Sequence, residues 1–418
     1  MPRPRKGGDI CAIFVHAGAG FHSPSNERAH LETCENASKV AMSMLKNGAS
    51  AVDAVEIAIM LLEDSEITNA GYGSNLTIDG SVECDATVID HKGRSGAVGA
   101  VAHVKNPISL ARVIFESSTW PLSLQRVPPN FLVGPGATDF AYEHGLVILP
   151  HDGLVSDGAK ERWRRWHRDL EAAGLEEKER RPARFENDRA NAFFRRPAYN
   201  PAQQLATPSS AGNSPRGDHR PSGDSCDSTG DQEAEPLANL SSQPSESSRV
   251  YGATYLEGTP SQEPTSSTAA GASASLNHGA TDQISDTVGA IAVDCYGHIA
   301  AGSSSGGIGM KHRGRIGPAA LVGIGTAVVP PDPGDPDKTS VASVTSGTGE
   351  HIATTLAAHT CAHRVFYGER KVGDGTFEEV TEDEAMRATI DTDFMGNLHS
   401  PLFMSYMAAN SRRQTTPV

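Results

Sequence analysis

The chain has 418 residues, enough for one large domain or for two or three ordinary ones. Hydrophobic residues make up 38%, which is low for a chain that packs throughout, so part of it is expected to lie outside any core. The net charge of -15, from 36 Lys and Arg against 51 Asp and Glu, argues against general attraction to nucleic acid. No apolar run approaches the length of a membrane helix, so neither nucleic acid nor membrane is expected as a partner.

The opening MPRPRKGGD is basic, but the apolar run from Ile10 to Val15 is too soon interrupted by His16 and Gly18 to read as a secretory signal. None of the six cysteines forms a CxxC pair or sits at metal-ligand spacing with His. Free thiols in a cytoplasmic or nuclear compartment are therefore expected. The sequons at Asn36, Asn75 and Asn239 then read as chance matches.

In chain order, Ile10 to Val15 predicts a strand ended by the turn HAGAG. Residues 30–47 predict a helix, and Ser50 can cap a second over Ala51 to Leu62, with Asp53 near its start. NAGYGSNL is a glycine-rich turn. Strands are predicted over Ser81 to Asp90 and Ala97 to His103, and a helix over Ile108 to Glu116. From about 174 to 286 the chain is rich in Ser, Pro, Gly, Thr, Gln and Asn, a composition that cannot offset the entropy of ordering. Disorder is expected there. Just before it, and within its start, lie WRRWHR (Trp163 to Arg168), Arg180-Arg181 and Arg195-Arg196. This segment is either a nuclear-import or acidic-partner patch or a solvated helix with a charged tail.

Order is expected to return at Thr287, where TVGAIAVD is apolar and β-branched. Ile299 to Ser303 returns as its hairpin partner. Leu321 to Thr326 and Val341 to Thr345 predict further strands, and Glu350 to Phe366 a helix. A cut before Thr287 would place a new α-amine beside its hydroxyl. Such an amine, with a pKa near 8, is partly neutral near pH 7 and can take the hydroxyl proton. On local sequence alone, Thr287 also reads simply as a strand opener.

The wider pattern bears on that choice. FVHAGAGFHS (14–23), LLEDSEITNAGYGSNL (61–76), VECDATVID (82–90), GAVGAVAHVKNP (96–107), DTVGAIAVD (286–294), SSSGG (303–307), KHRGRIG (311–317) and TSGTGEH (345–351) stand in this order. Together they resemble the type 2 asparaginase family of N-terminal-nucleophile hydrolases. Within that family the chain looks most like the threonine aspartase branch, endopeptidases that cleave after Asp.

The resemblance implies an α+β fold, a four-layer αββα sandwich with a long disordered internal linker. Residues 1–173 and 287–418 would be its two parts, and 174–286 the linker. The part from 287 should end in strands completing a second sheet, and none is found after about Asp391. The resemblance also implies self-cleavage between Asp286 and Thr287, with Thr287 as nucleophile. Ser305 would support it, where the asparaginases have Thr. Ser346 and Gly347 would form the oxyanion hole, and Arg315 with Gly349 would hold the substrate carboxylate. No organic cofactor is implied, although a structural sodium ion is possible near Leu62–Gly73. The cut αβ unit would pair into a homo-oligomer.

Three positions bear on the substrate. In the asparaginases an Asp three residues after the arginine holds the substrate's free α-amino group, and here Pro318 stands in its place. Asp286 would supply an aspartate to the self-cut, and Gln283-Ile284-Ser285-Asp286 resembles the Gln, aliphatic, Asp pattern of threonine aspartase substrates with one residue extra. The expectation is a self-activating threonine endopeptidase acting on proteins with Asp at the cleaved bond. The alternatives are an asparaginase or isoaspartyl peptidase on small substrates, and a non-maturing relative that only binds partners. GSSSG (302–306) also fits a nucleophile elbow around Ser304, but that motif needs a helix next and GGIGMKHRGR is not one. His16, His298, His312 and His351 each read as turn or capping residues.

Overall fold

A computed structural model describes residues 10–19, 26–180, 287–373 and 375–397, with the side chains of 176–180 excepted. Asp286, the expected linker beyond Arg180 and the tail after Asn397 lie outside the described residues.

Strand β1 (Ala12–His16) leads to helices α1 (Glu27–Lys46) and α2 (Ala51–Glu63). Ser50 and Asp53 close a capping box: the Ser50 Oγ accepts from Asp53 N at 3.2 Å, and Asp53 Oδ2 from Ser50 N at 3.1 Å. The helix so started is largely apolar, with eight of its thirteen residues buried and none exposed. Burial of Ile59 or Leu62 stabilises the fold by about 1.5–3 kcal/mol each. Strands β2 (Cys84–Asp90) and β3 (Ser95–Val101), helix α3 (Pro107–Ser117), the short strand β4 (Phe131–Val133) and helix α4 (Gly134–Glu143) follow. Helix α5 (Asp157–Arg180) ends this part. It runs past residue 173, so the expected boundary of the linker falls inside a helix.

Beyond Thr287, strands β5 (Val288–Val293) and β6 (Ile299–Ser305) form the predicted hairpin. They complete a six-stranded sheet in the order β1-β5-β6-β2-β3-β4, antiparallel except for β3 and β4. The two strands beyond Thr287 thus sit at the centre of a sheet whose other strands precede the linker.

Helices α1, α2 and α3 cover one face. Val55 and Ile59 of α2 approach Gly302 so closely that a Cβ there would lie 2.7 and 3.0 Å from them. The other face meets a pair of antiparallel strands, β7 (Thr326–Val329) and β8 (Val341–Val344), where Ser303 Oγ bonds Thr326 Oγ1 at 2.7 Å. Helix α7 (Ala357–Tyr367) packs Ala358 and Ala362 on Ala327 from outside. The order helix, sheet, sheet, helix is the expected αββα sandwich.

Three local expectations are corrected. The stretch predicted as a strand from Leu321 to Thr326 begins as a turn after the 3-10 helix Pro318–Ala320, and the strand runs from Thr326 to Val329. The helix predicted over Glu350 to Phe366 is broken. Leu356, with φ 50°, separates α6 (Gly349–Thr355) from α7, a left-handed residue costly for leucine and incompatible with a continuous helix. The segment WRRWHR is a helix solvated on one face only: Arg164 and Arg168 are exposed, while Trp163 Nε1 donates to Thr77 O at 2.9 Å and Trp166 packs against Gly309. The hairpin β9 (Glu369–Lys371) and β10 (Phe377–Glu379), helix α8 (Glu382–Ala388) and a π-helical turn at Thr389–Phe394 close the described chain. Among the described residues the second sheet has two strands.

Candidate active site

Thr287 directly precedes β5 and is buried. The β5–β6 register pairs Val288 with Ser304, so one residue further along Thr287 stands opposite Ser305. Ser305 in turn pairs with Asp85 of β2. Alternation along the strands turns Thr287, Ser303 and Ser305 to the face covered by the second sheet. The expected nucleophile and its expected supporting hydroxyl are therefore neighbours on one face.

The turn after β8 reaches the same place. Ser346 Oγ accepts from the backbone N of Thr287 at 3.2 Å and from Ala19 N, in the HAGAG turn, at 3.2 Å. One hydroxyl thus touches the nitrogen that a cut at 286–287 would free. Gly347, next to it, has φ 143°, a conformation open mainly to glycine.

The loop after β6 carries the site onward. Ser305 Oγ accepts from Gly307 N at 3.0 Å. A Cβ on Gly307 would lie 3.1 Å from Arg315 Nη1, one on Gly317 2.9 Å from the same atom, and one on Gly349 2.7 Å from Arg315 Nη2. Pro318 borders the same gap, its Cδ 3.0 Å from the Gly349 position. Thr287, Ser305 and Ser346 thus form one cluster, and Arg315 with Gly349 a second, joined through Ser305 and Gly307.

Buried polar groups outside the expected set hold these loops. Asn69, from the NAGYGSN turn, donates through Nδ2 to Gly307 O at 2.8 Å and accepts at Oδ1 from Asn75 N at 2.8 Å, while its carbonyl accepts from Gly306 N at 2.8 Å. Asp85 accepts from Ala100 N at 2.8 Å and Gly317 N at 2.7 Å, anchoring the segment after Arg315. Burial raises its carboxyl above the usual range, against the pull of Lys311, of these two amides and of Arg315. Lys311 is buried and donates to Glu83 O at 2.8 Å. Glu350 accepts from Arg315 Nε at 3.1 Å and Nη2 at 2.7 Å.

Sequence reasoning had Asn69 only as a loop residue and passed over Asp85, Lys311 and Glu350. Three carboxylates, Glu83, Asp85 and Asp90, within the largely apolar VECDATVID are the available signal, since buried charges need dedicated partners. His16 departs from its expectation, being the last residue of β1 rather than a turn or cap. Its Nε2 has no hydrogen-bond partner among the described residues and would lie 2.4 Å from a Cβ on Gly289. Burial lowers its pKa to about 4, so the ring is neutral at pH 7.

Beside the site, the backbone carbonyls of Glu63, Glu66 and Thr68 crowd the Gly71–Gly73 turn. A Cβ on Gly71 would lie 2.5 Å from Glu63 O, and one on Gly73 2.0 Å from Thr68 O and 2.6 Å from Glu66 O. These are hard oxygen donors, the type that suits an alkali or alkaline-earth cation.

Comparison with known proteins identifies the family. The asparaginase family model matches residues 10–192 and 239–391. The isoaspartyl peptidase/L-asparaginase of Rattus norvegicus is 39% identical over 160 residues, 38% of this chain and 45% of that protein. The human protein of the same name is 39% identical over 153 residues, 36% of this chain and 46% of its own length. These matches thus span under half of each relative. The isoaspartyl peptidase of Salmonella typhimurium is 27% identical over 376 residues, 88% of this chain and 83% of that protein. With the αββα sandwich and the central strand opened by Thr287, the chain belongs to the type 2 asparaginase family of N-terminal-nucleophile hydrolases.

Proposed function

We propose that the chain is a self-activating hydrolase that cuts an amide at an aspartyl-type carbonyl, with Thr287 as nucleophile. The observation that carries this is the Ser346 hydroxyl on the backbone nitrogen of Thr287, with Ser305 opposite. In the self-cut, Thr287 Oγ1 attacks the carbonyl carbon of Asp286. The C–N bond breaks, the nitrogen takes up the hydroxyl proton, and water hydrolyses the resulting ester to leave Thr287 with a free amine. An N–H of that amine donated to Ser346 leaves its lone pair to accept the hydroxyl proton in later turnovers. The backbone around Ser346 and Gly347 would receive the developing oxyanion, and Arg315 the substrate carboxylate.

Two substrate classes follow. The names of the relatives support isoaspartyl peptides or asparagine, and that reading has the broader support. Cleavage of proteins after Asp, the threonine aspartase reading, is favoured by one position. Pro318 borders the arginine, where a free α-amine would need an anionic partner. Of the two carboxylates beside Arg315, Asp85 is engaged by two backbone amides and Glu350 by the guanidinium itself. A peptide-bound Asp has no free amine and makes no such demand. In either case the carbonyls of Glu63, Glu66 and Thr68 would hold a sodium ion that stiffens the Asn69 turn. The same reading carries pairing of two αβ units and action in the cytoplasm or nucleus.

The test is intact mass and N-terminal sequencing of the wild type beside Thr287→Ala. The wild type should give two pieces, the smaller starting at Thr287, and the variant should stay at 44.0 kDa. The cut protein is then offered asparagine, an isoaspartyl dipeptide and a peptide containing Gln-Val-Asp. Hydrolysis of the last alone selects the endopeptidase. Two uncut, soluble proteins would sink the hydrolase reading and leave a non-maturing relative.

A further inference from the structure

We propose that Glu350 is the positioning residue that aims Arg315, and that the substrate carboxylate enters the gap bounded by Gly307, Gly317 and Gly349. This rests on the reading of Arg315 as the carboxylate grip.

A guanidinium offers two edges to a carboxylate, one through Nε with one terminal nitrogen, the other through both terminal nitrogens. Glu350 Oε1 accepts from Nε at 3.1 Å and Nη2 at 2.7 Å and so takes the first edge. Among the described residues Nη1 makes no hydrogen bond. It faces Gly307 and Gly317, and Nη2 faces Gly349. A Cβ at any of the three would fall 2.7 to 3.1 Å from the guanidinium and cover the free edge. That edge therefore stays open through the absence of three side chains. The buried Lys311, whose Nζ is 3.2 Å from the Gly307 position, adds a second positive charge to the gap, opposed by Asp85, whose Oδ2 is 3.2 Å from the Gly317 position.

Stability does not account for the pair. The Glu350 side chain is 62% exposed against 17% for Arg315, and pairs with an exposed partner contribute little. What the contact supplies is direction. Burial works against the Glu350 carboxylate, but its bond to Arg315 outweighs this and keeps it ionised, so the acceptor persists at neutral pH. Without it, a substrate carboxylate would have to order a long side chain on binding, a cost of about three- to tenfold in affinity.

The experiment is calorimetric titration of the full chain with N-acetyl-L-aspartate, which has the carboxylates but no free amine, and in parallel with L-aspartate. Glu350→Ala should bind both about three- to tenfold more weakly. Glu350→Gln, which keeps an acceptor at the same place, should recover to within about threefold. Arg315→Ala should bind about thirtyfold more weakly or worse. Tighter binding by Glu350→Ala would mean that Glu350 competes for the arginine, and unchanged binding that it does not aim it. Weakening confined to L-aspartate would make it a partner of the substrate amine. Each of these overturns the inference while Arg315→Ala still loses binding. Unchanged binding in Arg315→Ala, or none in the wild type, would overturn the reading of Arg315 and the inference with it.

Discussion

Glu63→Gln should remove a fall in stability that the wild type shows between about pH 4.5 and 8. Glu63 ends α2, is fully buried, and accepts from Ser304 Oγ at 2.7 Å and Ile108 N at 3.0 Å. Burial pushes its carboxyl from 4.5 up to about 8, and these hydrogen bonds oppose the shift only in part. The folded protein therefore keeps a proton that the unfolded chain releases above pH 4.5. Folding takes up that proton within the window, so stability falls as pH rises through it and levels off above 8. At about 1.4 kcal/mol per pKa unit, the wild type should lose a few kcal/mol that the variant does not. Gln can keep both accepted bonds through its carbonyl oxygen. Asp85, also raised by burial, and His16, lowered by burial to about 4, are common to both proteins and cancel in the difference. Urea unfolding at pH 5, 6, 7 and 8 measures the gap. Parallel curves, or a wild type that gains stability relative to the variant as pH rises, would refute the assignment.

Further outcomes are expected. Asn69→Ala removes the 2.8 Å acceptor of Asn75 N and the 2.8 Å donor to Gly307 O, which among the described residues then keeps a 3.4 Å bond from Asn75; it should cost about 2–4 kcal/mol by urea unfolding and slow the self-cut. A loss under about 1 kcal/mol would show that the loop holds without it. Gly289→Ala drives a Cβ to 2.4 Å from the buried His16 Nε2 and should cost about 1–3 kcal/mol, whereas a neutral substitution would mean that β1 yields freely. Ser346→Ala removes an acceptor from Thr287 N and Ala19 N. Maturation followed by gel should slow markedly while stability drops by only about 1–2 kcal/mol, and an unchanged rate would remove Ser346 from the cut.

The local elements follow from residues close in sequence. Ser50 and Asp53 start α2 with the capping box that their spacing allows, and the continuous apolar run after Thr287 sets the β5–β6 hairpin. Where the chain bends against such patterns, sequence reading failed. Leu356 breaks a helix with no Gly or Pro to mark the place, and the turn after Ala320 shifts β7 onward. Helix α5 continues to Arg180 through a stretch whose composition reads as a polar tail, its two tryptophans being claimed by Thr77 and Gly309.

The amino-acid order was enough to mark Thr287, Ser305, Ser346 and Arg315 through the motifs around them. Their meeting depended on the sheet. Asp85 serves Gly317 over 232 positions, Asn69 serves Gly307 over 238, and Ser304 reaches Glu63 over 241. Contacts at such separations leave no periodicity in the chain. They arise because β5 and β6 enter the middle of a sheet built by residues before the linker, which buries polar side chains and obliges each to find a partner across it.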